Sequence, residues 1–334
     1  MRPVSNVTQV IKWLSTGLLF SAAAVSAKQV EVHDPVMTKE GDTYYVFSTG
    51  PGITYYESKD LTNWKLTGRI FKDEPSWAKR VSPNFGGHLW APDVYKKNGK
   101  FYLYYSVSAF GKNTSAIGVT VNETLDPASP DYKWIDYGIV VESVPERDDW
   151  NAIDPAIIED DKGTPWMSFG SFWGGLKLVQ LDDDMVRLAK PEKWHHIASR
   201  PNTEHGPIEA PYIFKKNGYY YLFVSFDKCC RGVESTYNVR VGRSKNIEGP
   251  YLDKQGRSMV DGGGSLVIEG NKEWAALGHN AAYTFDGKDY LVLHAYETAD
   301  NGVQKLRILP MSWKNDWPIV NPADLNKLKT KLIK

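Results

Sequence analysis

The sequence predicts an all-β protein, a five-bladed β-propeller whose four-stranded blades surround a central channel. Three observations predict it. Short apolar and aromatic runs are broken by Gly, Asn, Asp and Pro with little 3.6-residue periodicity, the mark of strands and not of helices. A single pattern, an apolar start followed by a tight turn and an aromatic strand, occurs five times. The copies begin 55 to 70 residues apart, which is room for about four strands each. A two-sheet sandwich would explain the short strands but not the fivefold recurrence.

In chain order, the first segment reads as an address. Arg2 and Lys12 precede or enter an apolar stretch from Trp13 to Val25, and Val25-Ser26-Ala27 has the small-x-small form of a cleavage site. The stretch is 13 residues long, short of the ~20 that a membrane span needs, and no later run reaches that length. Residues 1–27 are therefore expected to be a signal peptide and residues 28–334 a single propeller domain. The alternative for 1–27 is a buried N-terminal helix. No Cys stands near the cleavage site, so a lipid anchor is not expected. The expected location is secreted or periplasmic.

The five copies follow. Asp34-Pro35-Val36 leads to Tyr44-Tyr45-Val46-Phe47, and Ala91-Pro92-Asp93-Val94 to Phe101-Tyr102-Leu103-Tyr104. Asp154-Pro155-Ala156 leads to Trp166-Met167-Ser168-Phe169, and Glu209-Ala210-Pro211-Tyr212 to Tyr220-Tyr221-Leu222-Phe223. The last copy runs from Asn280-Ala281-Ala282-Tyr283 to Tyr290-Leu291-Val292-Leu293. Asn98-Gly99, Asn217-Gly218, Asp286-Gly287 and Lys162-Gly163 supply hairpin turns between the two halves of a copy. Further strands come after each hairpin, as at Thr54–Ser58 with Trp64–Leu66 and at Val239–Ser244.

Composition narrows the partner. Forty basic and 40 acidic residues cancel, and loss of Arg2 and Lys12 with the leader leaves 38 against 40. Nucleic acid and acidic membranes select basic surfaces, so neither is expected as a partner. Aromatic residues make up 13% of the chain, enough to suggest a surface that stacks on a ligand. The only cysteines, Cys229 and Cys230, are adjacent. They cannot staple distant elements and do not have metal-binding spacing; they form either a vicinal disulfide or a pair of unbridged thiols.

In a propeller the start of each innermost strand points into one end of the channel. Aligning the copies on their hairpins puts Asp34, Trp90, Asp154, Glu209 and His279 there, to within about one residue. Any one of these alone reads as a turn or capping residue. Three carboxylates on one axis repel each other, a cost that is met where chemistry needs it. Glycosidic hydrolysis needs a proton donor for the leaving oxygen and a second carboxylate across the bond. That carboxylate either activates water, with the pair about 6.5–9.5 Å apart, or attacks directly from about 5–5.5 Å. A third carboxylate keeps the donor protonated. Trp90 and Phe110 are candidates to stack on a sugar face, with core packing the alternative for both.

These motifs resemble a known family. His33-Asp34-Pro35-Val36, Trp90-Ala91-Pro92-Asp93-Val94, Asn151-Ala152-Ile153-Asp154-Pro155, Ser168-Phe169-Gly170-Ser171-Phe172-Trp173, Gly206-Pro207-Ile208-Glu209-Ala210-Pro211-Tyr212 and Gly278-His279-Asn280 look like glycoside hydrolase family 43, and more narrowly like its endo-1,5-α-L-arabinanases. The resemblance spans nearly all of residues 28–334. It implies an inverting reaction on arabinan. Asp34 would be the general base, Glu209 the general acid and Asp154 the group that raises the pKa of Glu209 and orients it. Asn151 and Ser171 would line the sugar site. His279 would hold a metal ion, commonly calcium, through water. The expected partner is a polysaccharide, met by a monomer with no organic cofactor.

Rival readings remain. An exo-acting α-L-arabinofuranosidase or β-xylosidase of the same family would keep the carboxylates and change only the loops around the cleft. A fructan-acting propeller would carry Trp-x-Asn-Asp-Pro or Arg-Asp-Pro signatures, which this sequence lacks. A non-catalytic sugar-binding propeller would repeat one site per blade, whereas the five axial residues here differ in type.

Overall fold

The computed structural model describes residues 28–334; the expected signal peptide, residues 1–27, lies outside them. Five sheets, each built on four antiparallel strands, follow one another along the chain. Blade I holds β1 (Val36–Glu40), β2 (Thr43–Ser48), β3 (Thr54–Ser58) and β4 (Asn63–Arg69). Blade II holds β5 (Trp90–Lys97), β6 (Lys100–Val107), β7 (Ser115–Asn122) and β8 (Ile135–Ser143). Blade III holds β9 (Ala156–Glu159), β10 (Pro165–Phe169), β11 (Leu176–Gln180) and β12 (Trp194–Ala198). Blade IV holds β13 (Ile208–Lys216), β14 (Tyr219–Phe226), β15 (Asn238–Ser244) and β16 (Ser265–Ile268). Blade V holds β17 (Trp274–Phe285), β18 (Lys288–Glu297), β19 (Val303–Lys314) and β20 (Trp317–Val320).

The first strands of successive blades touch in the order β1, β5, β9, β13, β17 and back to β1, so they form the innermost ring. This is the five-bladed propeller that the repeats predict. The expected turns set the register. Asn98 and Gly99, Asn217 and Gly218, and Asp286 and Gly287 all have positive φ, between 50° and 77°, the geometry of a two-residue hairpin loop that matches strand twist.

The core is divided among the seams between blades. Five main apolar clusters lie between I and II, II and III, III and IV, IV and V, and V and I. Trp64 and Trp274 are among the largest fully buried side chains. Burial of a large apolar side chain is worth about 1.5–3 kcal/mol, so the seams hold the blades at fixed angles.

Both ends of the described chain close the ring. The strand β21 (Lys331–Ile333) pairs in parallel with β4, giving blade I a fifth strand where four were expected. Residues 30 and 31 instead join blade V: Leu306 N–H donates to Val30 O at 2.9 Å, and Glu31 bridges Lys305. Leu332 N–H donates to Lys28 O at 2.7 Å, which locks the two ends together. Among the described residues no helix is long and apolar enough to cross a membrane.

Candidate active site

Each innermost strand enters the channel through one residue in the left-handed region: Asp34 (φ 52°), Ala91 (42°), Asp154 (60°), Ala210 (52°) and His279 (49°). A residue with a Cβ is disfavoured there by about 1–2 kcal/mol, so the surroundings must hold it. The neighbouring blade does so. Ala91 N–H donates to Thr49 Oγ1 at 2.7 Å, Asp154 N–H to Ser106 Oγ at 3.2 Å, His279 N–H to Ser225 Oγ at 2.8 Å, and Asp34 N–H to His294 Nδ1 at 3.1 Å. In these four cases the acceptor lies in, or directly after, the second strand of the preceding blade. The fifth kink departs from the pattern: Ala210 N–H donates to Asp154 Oδ2 at 3.1 Å. A carboxylate takes the place of a neutral acceptor, and it is thereby tied to the backbone next to Glu209.

The kinks also explain the one-residue scatter in the sequence alignment. Asp34, Asp154 and His279 sit on the kink, whereas Trp90 and Glu209 sit one residue before it. The ladder slips at Trp90/Asp93, Glu209/Tyr212 and Gly278/Ala281, and such bulges re-aim side chains.

A cavity of ≈800 Å³ opens at this end of the channel, and all eight residues singled out from the sequence line it: Asp34, Asp154, Glu209, His279, Trp90, Phe110, Asn151 and Ser171. The carboxylates come from blades I, III and IV and the imidazole from blade V. All four are buried. Phe110 is 80% exposed, which excludes core packing and leaves an apolar ring at the cavity edge. The Oδ1 of Asn151 is buried without a hydrogen-bond partner, an acceptor left for a ligand. Ser171 also acts on an acid, because its hydroxyl donates to Glu209 Oε2 at 2.6 Å.

The electrostatics separate the acids. Burial by itself would raise the Asp34 carboxyl, but the charges of His279 and His33 and their hydrogen bonds overcome it and hold Asp34 well below the usual carboxylate range. His279 Nδ1 lies 3.0 Å from Oδ1, His33 Nδ1 2.8 Å from Oδ2, and Thr49 Oγ1 donates to Oδ2 at 2.5 Å. Burial pushes Glu209 upward against the hydroxyls of Ser171 and Tyr237. Tyr237 Oη donates to Glu209 Oε1 at 2.6 Å. Asp154 is also raised, first by burial and then by the charges of Glu209 and Asp34. Burial would lower His279, but Asp34 above all, then Asp154 and Glu209, bring it up to about 9, so it carries a proton at neutral pH. The site thus contains one carboxylate kept ionised and a buried pair that retains a proton.

Several side chains around the acids escaped the sequence reading. His33 stood inside a quoted motif without a role. Thr49, Tyr237 and His294 gave no signal, because they come from strand ends on other blades with no fixed spacing to the acids. Trp173, 40% exposed on the cavity wall, followed Ser171 in a quoted motif and adds an aromatic face. Cys229 and Cys230, left open in the sequence, are bridged to each other, and the pair lines the cavity.

A metal ion near His279 was expected. Among the described residues the tight donor groups are His33–Asp34–His294 and His33–Cys229–Cys230, rich in N and S with one carboxylate. Calcium takes about six to eight oxygens, so these do not fit an ion bound directly. His279 spends Nδ1 on Asp34, and no hydrogen bond to a described residue uses its Nε2. The residues therefore fit only a cation held through water.

Comparison with known proteins agrees with this geometry. The profile of Glycosyl hydrolases family 43 matches residues 27–318. The chain is 63% identical, over 96% of each sequence, to an extracellular exo-α-(1→5)-L-arabinofuranosidase of Cellvibrio japonicus. It is 44% identical to an extracellular endo-α-(1→5)-L-arabinanase of Bacillus subtilis, over 91% of this chain and 94% of that one. The solved structure of Cellvibrio cellulosa α-L-arabinanase complexed with arabinohexaose superposes with a TM-score of 0.90 at 63% identity, covering 92% of this chain and 100% of that one. A propeller with three buried acids at one channel mouth is, on these grounds, a glycosidase. The chain belongs to glycosyl hydrolase family 43.

Proposed function

We propose that the protein hydrolyses the α-1,5-L-arabinofuranosidic bonds of arabinan by an inverting, general acid–base reaction. The observation that carries this reading is the opposite treatment of Asp34 and Glu209 within one cavity. Asp34, kept ionised by His279, His33 and Thr49, draws a proton from water as that water attacks the anomeric carbon. Glu209, raised by burial, gives its proton to the leaving sugar oxygen. Asp154, itself raised to about 8, shares the proton of the buried pair with Glu209, disfavours ionisation of Glu209 whenever it is itself ionised and, through Ala210 N–H, fixes the backbone that aims it. Trp90, Phe110 and Trp173 offer apolar faces to sugar C–H groups, and Asn151 Oδ1 accepts from a sugar hydroxyl. A calcium ion held by His279 through water would supply positive charge near the acids.

Two modes of attack are consistent with this machinery. Cleavage inside the chain is what the sequence motifs imply; release from a chain end is favoured by the 63% identity to a relative named as exo-acting. A product time course on linear arabinan separates them: mixed oligosaccharides appear early in the first mode, and one short product from the start in the second. The names of both relatives as extracellular support export of this chain.

Glu209→Gln tests the assignment. The expected outcome is a loss of hydrolysis of about 10²–10⁴-fold with arabino-oligosaccharide binding retained. Unchanged turnover removes Glu209 as the acid. A non-catalytic sugar-binding propeller would show no hydrolysis in either form.

A further inference from the structure

Cys229 and Cys230 lie in the loop between β14 and β15, at the cavity wall, and the mechanism above makes no use of them. Their surroundings connect them to both catalytic acids. Cys229 packs against the buried cluster of Tyr237, Ala276 and Tyr296. Tyr237 is the residue whose hydroxyl holds Glu209. Cys230 Sγ lies 3.6 Å from His33 Nε2, and His33 Nδ1 holds Asp34.

Beneath the pair runs a closed circuit of hydrogen bonds. Asp34 N–H donates to His294 Nδ1 at 3.1 Å, which places the His294 proton on Nε2. That Nε2 lies 3.3 Å from Tyr296 Oη, so it donates there. Tyr296 Oη lies 3.4 Å from His33 Nε2, and His33 Nδ1–H donates to the Asp34 carboxylate at 2.8 Å. The circuit begins and ends on Asp34. Cys230 N–H donates to the same Tyr296 Oη at 2.8 Å, as its second incoming proton.

Cys230 reaches this position with φ 67°, in the left-handed region. Two features hold it there. One is the bond to Cys229. The other is close backbone packing further along the loop: a Cβ on Gly302 would stand 2.4 Å from the carbonyl carbon of Gly232. Opening the sulfur–sulfur bond removes one of these two constraints, which weakens the hold on Cys230 and on the N–H that it donates to Tyr296.

We propose that the Cys229–Cys230 disulfide is a positioning element for both catalytic carboxylates, acting through Tyr296 and His33 on Asp34 and through Tyr237 on Glu209, so that full turnover requires the oxidised pair. The proposal rests on the glycosidase reading of the site. It names Tyr296, Cys229 and Cys230 as positioning residues and not as catalytic ones.

The test is reduction of the folded enzyme with a water-soluble phosphine. The sulfur–sulfur bond breaks, the phosphine supplies two electrons and becomes a phosphine oxide with the oxygen of one water, and the two hydrogens of that water end on the thiols. Thiol titration counts two free groups, and near-ultraviolet circular dichroism reports the fold. On linear arabino-oligosaccharide, kcat is expected to fall at least tenfold with KM changed less than threefold, and to recover on reoxidation. Cys229→Ala/Cys230→Ala is expected to show the low kcat and no response to phosphine, and Tyr296→Phe a similar fall with the disulfide intact. Full kcat and KM in protein that titrates with two thiols overturns the proposal. So does a fall in kcat that coincides with loss of the circular dichroism signal, since the role is then structural. Absence of turnover in the oxidised enzyme overturns the glycosidase reading itself and the proposal with it.

Discussion

Asp34 and Glu209 are equally buried, 7% and 8% exposed, yet their neighbours push them in opposite directions. Burial raises both. The difference lies in what surrounds them: two imidazoles and a hydroxyl bonded to Asp34 overcome its burial, whereas at Glu209 two hydroxyls and the charge of His279 do not, and the negative charge of Asp34 adds to the effect of burial. The pH dependence should follow. On the proposed roles, the alkaline limb of kcat/KM should report the proton shared by Glu209 and Asp154. Asp154→Asn removes the group whose ionisation disfavours that of Glu209, so that limb should move to lower pH. Tyr237→Phe removes a hydroxyl that favours the ionised form, so the limb should move to higher pH. Movement of the limb in the same direction in both variants would contradict the assignment.

The innermost strands turn these residue preferences into geometry. Thr49 serves two elements at once, accepting from Ala91 N–H on blade II and donating to Asp34 on blade I. Thr49→Val should lower stability by about 1–2 kcal/mol, because a buried N–H is left unpaired, and should lower kcat as well. Denaturant unfolding and steady-state kinetics on the same variant check this. Asp93 on β5 plays a related part lower in the seam, where its carboxylate accepts from Ile157 N–H at 2.7 Å. Burial pushes Asp93 up to about 7. The folded chain then keeps a proton that the unfolded chain releases near pH 4, so this contribution to stability is full below about pH 4 and is lost as pH rises toward 7. In Asp93→Asn, melting temperature should therefore fall less between pH 4 and pH 7 than in the unaltered protein; equal slopes would refute the shift. Much at this scale was legible in the sequence. Turns such as Asn98-Gly99 and strands such as Phe101–Tyr104 are local, and local chemistry specifies them. The acceptors Ser106, Ser225 and His294 were not, because they are contributed by the neighbouring blade at no fixed sequence distance from the kink they serve.

At the scale of the whole molecule, fivefold repetition made the fold and the axial acids readable. Five similar blades bring five strand starts to one mouth, so residue type at one repeated position was enough to find Asp34, Asp154, Glu209 and His279. Closure of the ring was not readable. It depends on β21 and residues 28–31, which fall outside the repeat and carry no turn or strand signal of their own. Removing residues 329–334 should lower the melting temperature and loosen the seam between blades V and I, while the other four seams keep their apolar contacts. Hydrogen exchange, read blade by blade, would show faster exchange in β4 and in residues 303–306 first. The central claim, that acids from separate blades act across one sugar linkage through an activated water, is tested most directly by the configuration of the first product. Proton NMR during early hydrolysis of an α-1,5-linked arabino-oligosaccharide should show the β-anomer first, with the α-anomer growing later by mutarotation. Initial release of the α-anomer would mean direct attack by a carboxylate and would contradict the roles given to Asp34 and Glu209.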